Sequence, residues 1–146
     1  MIHPEMRRAI EWDCQQVMLR FYESYDVWQY EEMLDMCTPD AVWFRSGTEL
    51  QGREMIHEAI KTRSTTQVVR HVITNMVVDV HDANTATVRF LLTAYRFDNG
   101  TKQQVAPLID APILLLVVNT EMVQHENRWL MARQLMKREF VFDKNI

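Results

Sequence analysis

With 146 residues, 47% of them hydrophobic and 25% charged, the chain has the balance of a globular protein. It is long enough to bury about 70% of its unfolded surface in one domain over residues 1–146. A net charge of −4 without a basic run excludes a nucleic-acid surface, which needs clustered Lys and Arg.

Residues 4 to about 26 read as a helix. Ile10, Cys14, Val17, Phe21 and Tyr25 repeat at spacings of three and four and draw one apolar stripe. Pro4 suits the first turn, where its missing N–H costs nothing. The segment before it, Met1-Ile2-His3-Pro4-Glu5, lacks a basic region followed by an apolar stretch, so no signal peptide is expected and the location reads as cytoplasmic. A second short helix over about 27–37 carries Trp28, Met33 and Leu34, with Thr38-Pro39-Asp40 as its stop. Asp26 and Gln29 form an Asp-x-x-Gln capping-box pattern at its start. Ala41-Val42-Trp43-Phe44 then reads as a short strand, and Gly52 precedes a third helix over about 53–64.

The period changes in the second half. Val68–His81, Thr85–Asp98, Pro112–Gln124 and Trp129–Phe142 are rich in β-branched and aromatic residues, with turn signals at Asp82-Ala83-Asn84, Asp98-Asn99-Gly100 and Glu126-Asn127. Short turns make an antiparallel meander, because parallel strands need long crossovers. Helices first and then a long-stranded meander predict an α+β fold, a curved antiparallel sheet wrapped around N-terminal helices and enclosing a pocket. Ala111–Val118 is the longest apolar run and is too short to cross a bilayer, so no membrane partner is expected. Cys14 and Cys37 lack CxxC spacing and read as small core residues, with a disulfide between them left open.

Candidate chemistry lies in a few polar residues on otherwise apolar faces. His71 alternates with Ile73, Asn75 and Val77, so His71 and Asn75 share a strand face that lines the expected pocket. An imidazole is the side chain whose unperturbed pKa lies near neutrality, and a carboxylate at its other nitrogen fixes the tautomer. Asp26 could supply that carboxylate, or simply cap the second helix. Tyr25 could hydrogen-bond a carbonyl as it becomes an enolate, or be a core residue with its hydroxyl at a polar edge. Trp28 and Trp43, with some of the ten methionines, would shape an apolar cavity. Asn119 is a further candidate for a polar contact, while Arg45 and Asp110 read as surface residues near the mouth. The five histidines show no HxH or HxxxH spacing, and neither a phosphate-binding glycine loop nor a GxSxG turn exists, so no metal and no cofactor are expected.

Ser24-Tyr25-Asp26, Gly52-Arg53, Arg70-His71 and Arg128-Trp129, taken in order, resemble the SnoaL-like proteins of the cystatin-like α+β barrel superfamily, shared with nuclear transport factor two, scytalone dehydratase and ketosteroid isomerase. The resemblance implies a cone-shaped barrel. It also implies roles: Tyr25 orients a substrate carbonyl, Asp26 holds His71, and His71 moves the proton. It implies a cofactor-independent dehydratase or isomerase acting on a hydrophobic cyclic ketone or hydroxylated ring compound, and a homodimer or trimer. Ala111–Val118 has no counterpart of the further strand histidine of scytalone dehydratase. That absence supports the alternative, a non-catalytic ligand-binding or assembly module like the small subunit of ring-hydroxylating dioxygenases.

Overall fold

The computed structural model describes residues 1–146. Helix α1 (Pro4–Asp26) is followed by α2 (Tyr30–Asp35), β1 (Cys37–Arg45), β2 (Thr48–Gln51), α3 (Gly52–Ile60) and four long strands, β3 (Val68–Val80), β4 (Thr85–Phe97), β5 (Leu114–His125) and β6 (Arg128–Val141). The six strands form one sheet in the order β2-β1-β6-β5-β4-β3. The meander β3 to β6 is antiparallel throughout, as its short turns require. One pair departs from the all-antiparallel expectation: β1 runs parallel to β6, with Trp43 opposite Gln134. The sheet is therefore mixed: β2, α3 and three strands of the meander separate β1 from β6 in the chain, a connection long enough for a parallel pair.

Helix α1 lies across β3 and reaches β6, and the core forms between helix and sheet. Ile10, Cys14, Met18, Phe21, Tyr22 and Tyr25 pack there against Trp43, Phe90, Leu92 and Met131, all buried. Phe21 meets Trp43 edge-on with ring centroids 5.7 Å apart, and Tyr25 does so at 5.4 Å. Both cysteines are free and fully buried, and burial pushes each thiol up to about 12, so neither offers a thiolate near neutrality.

Three local details differ from the sequence reading. Thr38-Pro39-Asp40 lies inside β1 instead of ending α2, and a short strand, Thr48–Gln51, forms where the sequence reading assigns no element. Gly52 starts α3 at φ +85°, a left-handed value that suits glycine, and a Cβ there would sit 3.5 Å from the Pro39 carbonyl. Finally, Asp26-x-x-Gln29 is not a capping box. Gln29 N–H instead donates to the Ser24 carbonyl at 2.9 Å, with Trp28 left-handed at φ 60°, which is the Schellman closure of α1.

A bulge interrupts β3. Thr74 pairs with Leu91 and Val77 with Arg89, so Asn75 and Met76 together face one residue of β4. Asn75 takes φ 55° to make room. The extra residue shifts the alternation, so the inward row runs Val69, His71, Ile73 and then Met76, Val78, Val80. Asn75→Val should lower stability by about 1–2 kcal/mol, because a β-branched side chain resists the left-handed region. Urea unfolding would measure it, with Asn75→Gly as the unstrained control; a Val variant as stable as wild type would mean the bulge had migrated.

Candidate active site

The C-terminal turn of α1 faces the start of β3, and this junction brings Asp26 to His71. Met18, Tyr22 and Asp26 follow one another at four-residue spacing, so they form a second buried ladder beside the apolar stripe of α1. A carboxylate at this position opposes the helix macrodipole and is only 5% exposed. What offsets that cost is β3. Oδ2 of Asp26 accepts the His71 backbone N–H at 2.8 Å, and Oδ1 pairs with the ring nitrogen Nδ1. The two contacts fix both the strand register and the imidazole plane. Nε2 makes no hydrogen bond within the protein, and His71 stands in the wall of the cavity.

That cavity, about 810 Å³, opens between α1, α3 and the concave face of the sheet. Tyr22, Tyr25 and Trp43 join His71 at its inner end. The two tyrosines flank the imidazole, with ring centroids at 5.4 and 5.3 Å, but their hydroxyls differ in availability. Tyr22 donates to Oε1 of Gln134, whose amide nitrogen in turn donates to Thr120 at 2.8 Å, in a wholly buried chain. Burial holds the Tyr22 hydroxyl well above the usual phenol range, so Tyr22 stays neutral and its proton is committed. Tyr25 is different. Its oxygen accepts from Arg45 Nε at 2.9 Å and its own hydrogen has no acceptor, so it is the phenol free to donate into the cavity.

Arg63 secures this end of the helix. Its guanidinium lies 3.7 Å over the Tyr25 ring and donates to the Tyr25 carbonyl at 2.6 Å and the Tyr30 hydroxyl at 3.0 Å. A cation on the last turn satisfies a carbonyl that the helix itself leaves open. Two other arginines of the sequence motifs are tethers outside the cavity. Arg53 binds the Cys37 carbonyl through Nε at 2.9 Å, and Arg128 binds the Asp35 carboxylate at 2.8 Å.

Of the expected site residues, His71, Asp26, Tyr25 and Trp43 come together. Trp28 does not: its left-handed cap position turns it out of the cavity lining, half-buried, with the Arg63 guanidinium 5.7 Å from its ring. Asn75 is exposed, because the bulge moves it off the inward row. Asn119 is exposed as well, since Val118 and Thr120 take the inward positions on β5. Arg45 lines the cavity instead of the outer surface, and Asp110 is exposed outside it. Gln134, Thr120, Tyr22 and Arg63 have no separate signal in the sequence, although Gln134 alternates with buried positions of β6 as a polar residue on an inward row. No three His, Cys, Asp or Glu side chains are grouped to hold a metal ion, and no helix is long and apolar enough to cross a membrane.

Comparison with known proteins gives a family and a fold. A family model described as a SnoaL-like domain matches residues 7–134. No curated protein matches the sequence. Among solved structures, one from Novosphingobium aromaticivorans that is provisionally named a scytalone dehydratase superposes with a TM-score of 0.82 at 15% identity, covering 99% of this chain and 93% of that one. An NTF2-like protein with a cystatin-like fold from the same organism gives 0.75 at 15% identity, over 92% and 86% of the two chains. A third Novosphingobium protein, provisionally named an aromatic ring hydroxylase, gives 0.70 at 22% identity over 96% and 93%. At such identities the likeness establishes the cystatin-like fold and nothing finer.

Proposed function

The chain belongs to the SnoaL-like family, and on that premise we propose that it is a cofactor-independent dehydratase or isomerase that moves a proton on a hydrophobic cyclic ketone or hydroxylated ring compound. The observation that carries the reading is the Asp26–His71 pair set in the wall of a cavity large enough for a polycyclic ligand. With Nδ1 held by the carboxylate, the neutral imidazole keeps its lone pair on Nε2, the nitrogen of a general base. Proton removal α to a carbonyl makes an imidazolium, which Asp26 stabilises by charge. The developing enolate oxygen would take the hydrogen of Tyr25, whose phenol is made a stronger donor by the Arg45 bond to its oxygen. The imidazolium can then protonate a departing hydroxyl, completing water loss, or another carbon, completing isomerisation. The buried floor formed by Trp43, Leu92 and Tyr22 strengthens each of these hydrogen bonds by excluding water.

The test is to incubate hydroxylated cyclic ketones with the protein in D₂O and follow α-deuteration and water loss by NMR. Asp26→Asn should lower kcat by about 10²-fold while the circular dichroism is unchanged, because the amide no longer stabilises the imidazolium. An Asp26→Asn protein as active as wild type would overturn the assignment of Asp26.

A binding or assembly role is the second reading. It is favoured by an apolar band on the outer face of the sheet, where Val72, Leu135 and Phe140 are exposed. Tight binding of ring compounds without α-deuteration or water loss would establish it in place of the first.

A further inference from the structure

Three strands end their inward rows in the same way. β1 runs Ala41, Trp43, Arg45; β4 runs Leu92, Ala94, Arg96; β6 runs Gln134, Met136, Arg138. In each, buried or half-buried residues give way to an arginine at the open end of the cavity, and all three arginines line it, with Arg63 beside them. Only one carboxylate, Asp98, lines the same space, although the whole chain carries a net charge of −4. Its Oδ1 accepts from the Thr66 hydroxyl at 2.7 Å and the Gly100 N–H at 3.0 Å, and Arg96 is near enough to act on its charge without forming an ion pair.

Outside the cavity, Arg89 is matched to Asp79 at 2.8 Å, Arg128 to Asp35 and Arg53 to a carbonyl, while Arg8, Arg20 and Arg133 are exposed without an ion pair. Arg45 and Arg63 are engaged with Tyr25. Arg96 and Arg138, in contrast, make neither a hydrogen bond nor an ion pair within the protein; each presents its planar fork of donors beside an apolar wall of Ala94, Leu114, Leu116 and Met136. Concentrating like charge at one mouth is unfavourable for folding and favourable for an anion. A guanidinium fork fits a planar or tetrahedral oxyanion through paired hydrogen bonds.

We propose that the ligand of this cavity is an apolar ring compound bearing an oxyanion, a carboxylate or a phosphate, which Arg96 and Arg138 hold at the mouth while the ring lies against the apolar wall. The inference rests on the proposed function only in placing the ligand's reactive end at His71. Binding of the charged end requires no turnover.

The experiment is isothermal titration of three probes that share one ring system: naphthalene-2-carboxylate, 2-naphthyl phosphate and the neutral naphthalene-2-carboxamide. The proteins are wild type, the double variant Arg96→Gln/Arg138→Gln, and His71→Ala. At least one anionic probe should bind wild type about tenfold or more tighter than the carboxamide, the size of one charge-assisted hydrogen bond. Which anion wins distinguishes carboxylate from phosphate ligands. The advantage should persist in His71→Ala and disappear in the double variant, whose affinity for the carboxamide stays the same. Equal affinity for all three probes, no binding of either anion, or an advantage that survives in the double variant would each overturn the inference. An active His71→Ala protein would overturn the proposed reaction and leave the anion preference standing, so the two failures are separable.

Discussion

His71→Ala is expected to cut turnover by about 10²–10⁴-fold, the contribution of one positioned general acid and base, while leaving the protein folded. The loss follows from geometry: His71 is the imidazole in the cavity wall, and its Nδ1 is the nitrogen that Asp26 holds. Tyr25 and the apolar floor remain in place, so affinity for a ring compound should change far less than kcat. The measurement is turnover in D₂O with the best substrate of the wild-type screen, set beside the urea midpoint of the same variant. A variant with wild-type turnover and intact fold would remove His71 from the mechanism. Truncation also leaves the buried Asp26 carboxylate with one partner fewer, although the His71 backbone N–H still donates to Oδ2 at 2.8 Å. Some loss of stability is therefore expected together with the loss of rate, and His71→Gln, which keeps a hydrogen-bonding side chain at the site, separates the two.

Trp43→Ala should have the largest effect on stability. The indole is 1% exposed and sits edge-on to both Phe21 and Tyr25, joining α1 to the parallel β1–β6 pair. Removing a buried aromatic of this size costs about 3–5 kcal/mol, a large part of the roughly 5–15 kcal/mol that holds a domain together. The variant should unfold in urea at a clearly lower midpoint with an unchanged slope. Because Trp43 is also part of the cavity floor, the void merges with the cavity, so Trp43→Phe should recover most of the stability and enlarge the site slightly. A Trp43→Ala protein within about 1 kcal/mol of wild type would mean that α1 collapses onto the sheet and closes the gap.

Much of this molecule is legible in the chain itself. Helix α1 spans Pro4–Asp26 as its periodicity and its proline predict, and the four long strands begin and end within two residues of the segments read from β-branched content and turn signals. Both signals are local, since a 3.6-residue stripe and a run of Val, Ile and Thr need no distant partner to be recognised. His71 and Asp26 are legible in a weaker sense. A histidine on an apolar strand face and a carboxylate at the end of a helix both break local rules, and such breaks concentrate where a site is built.

What failed depended on one-residue shifts and on partners far away in the chain. Asn75 follows His71 at the right spacing, yet a bulge invisible to alternation counting puts it outside. Trp28 follows Asp26, yet the left-handed cap turns it away from the cavity. Asp26 could have capped α2, and only the arrival of β3 beside α1 decides that its two oxygens serve His71, 45 residues later. The same holds for the commitment of the Tyr22 proton to Gln134 and for the meeting of Arg45, Arg96 and Arg138 at one rim. The sequence by itself determined α1, the four long strands and which residue types could carry proton chemistry, because backbone propensity and side-chain periodicity are short-range. Tertiary structure alone decided which of those residues meet, because strand register, a single bulge and the crossing of α1 over β3 are set by packing across the whole core.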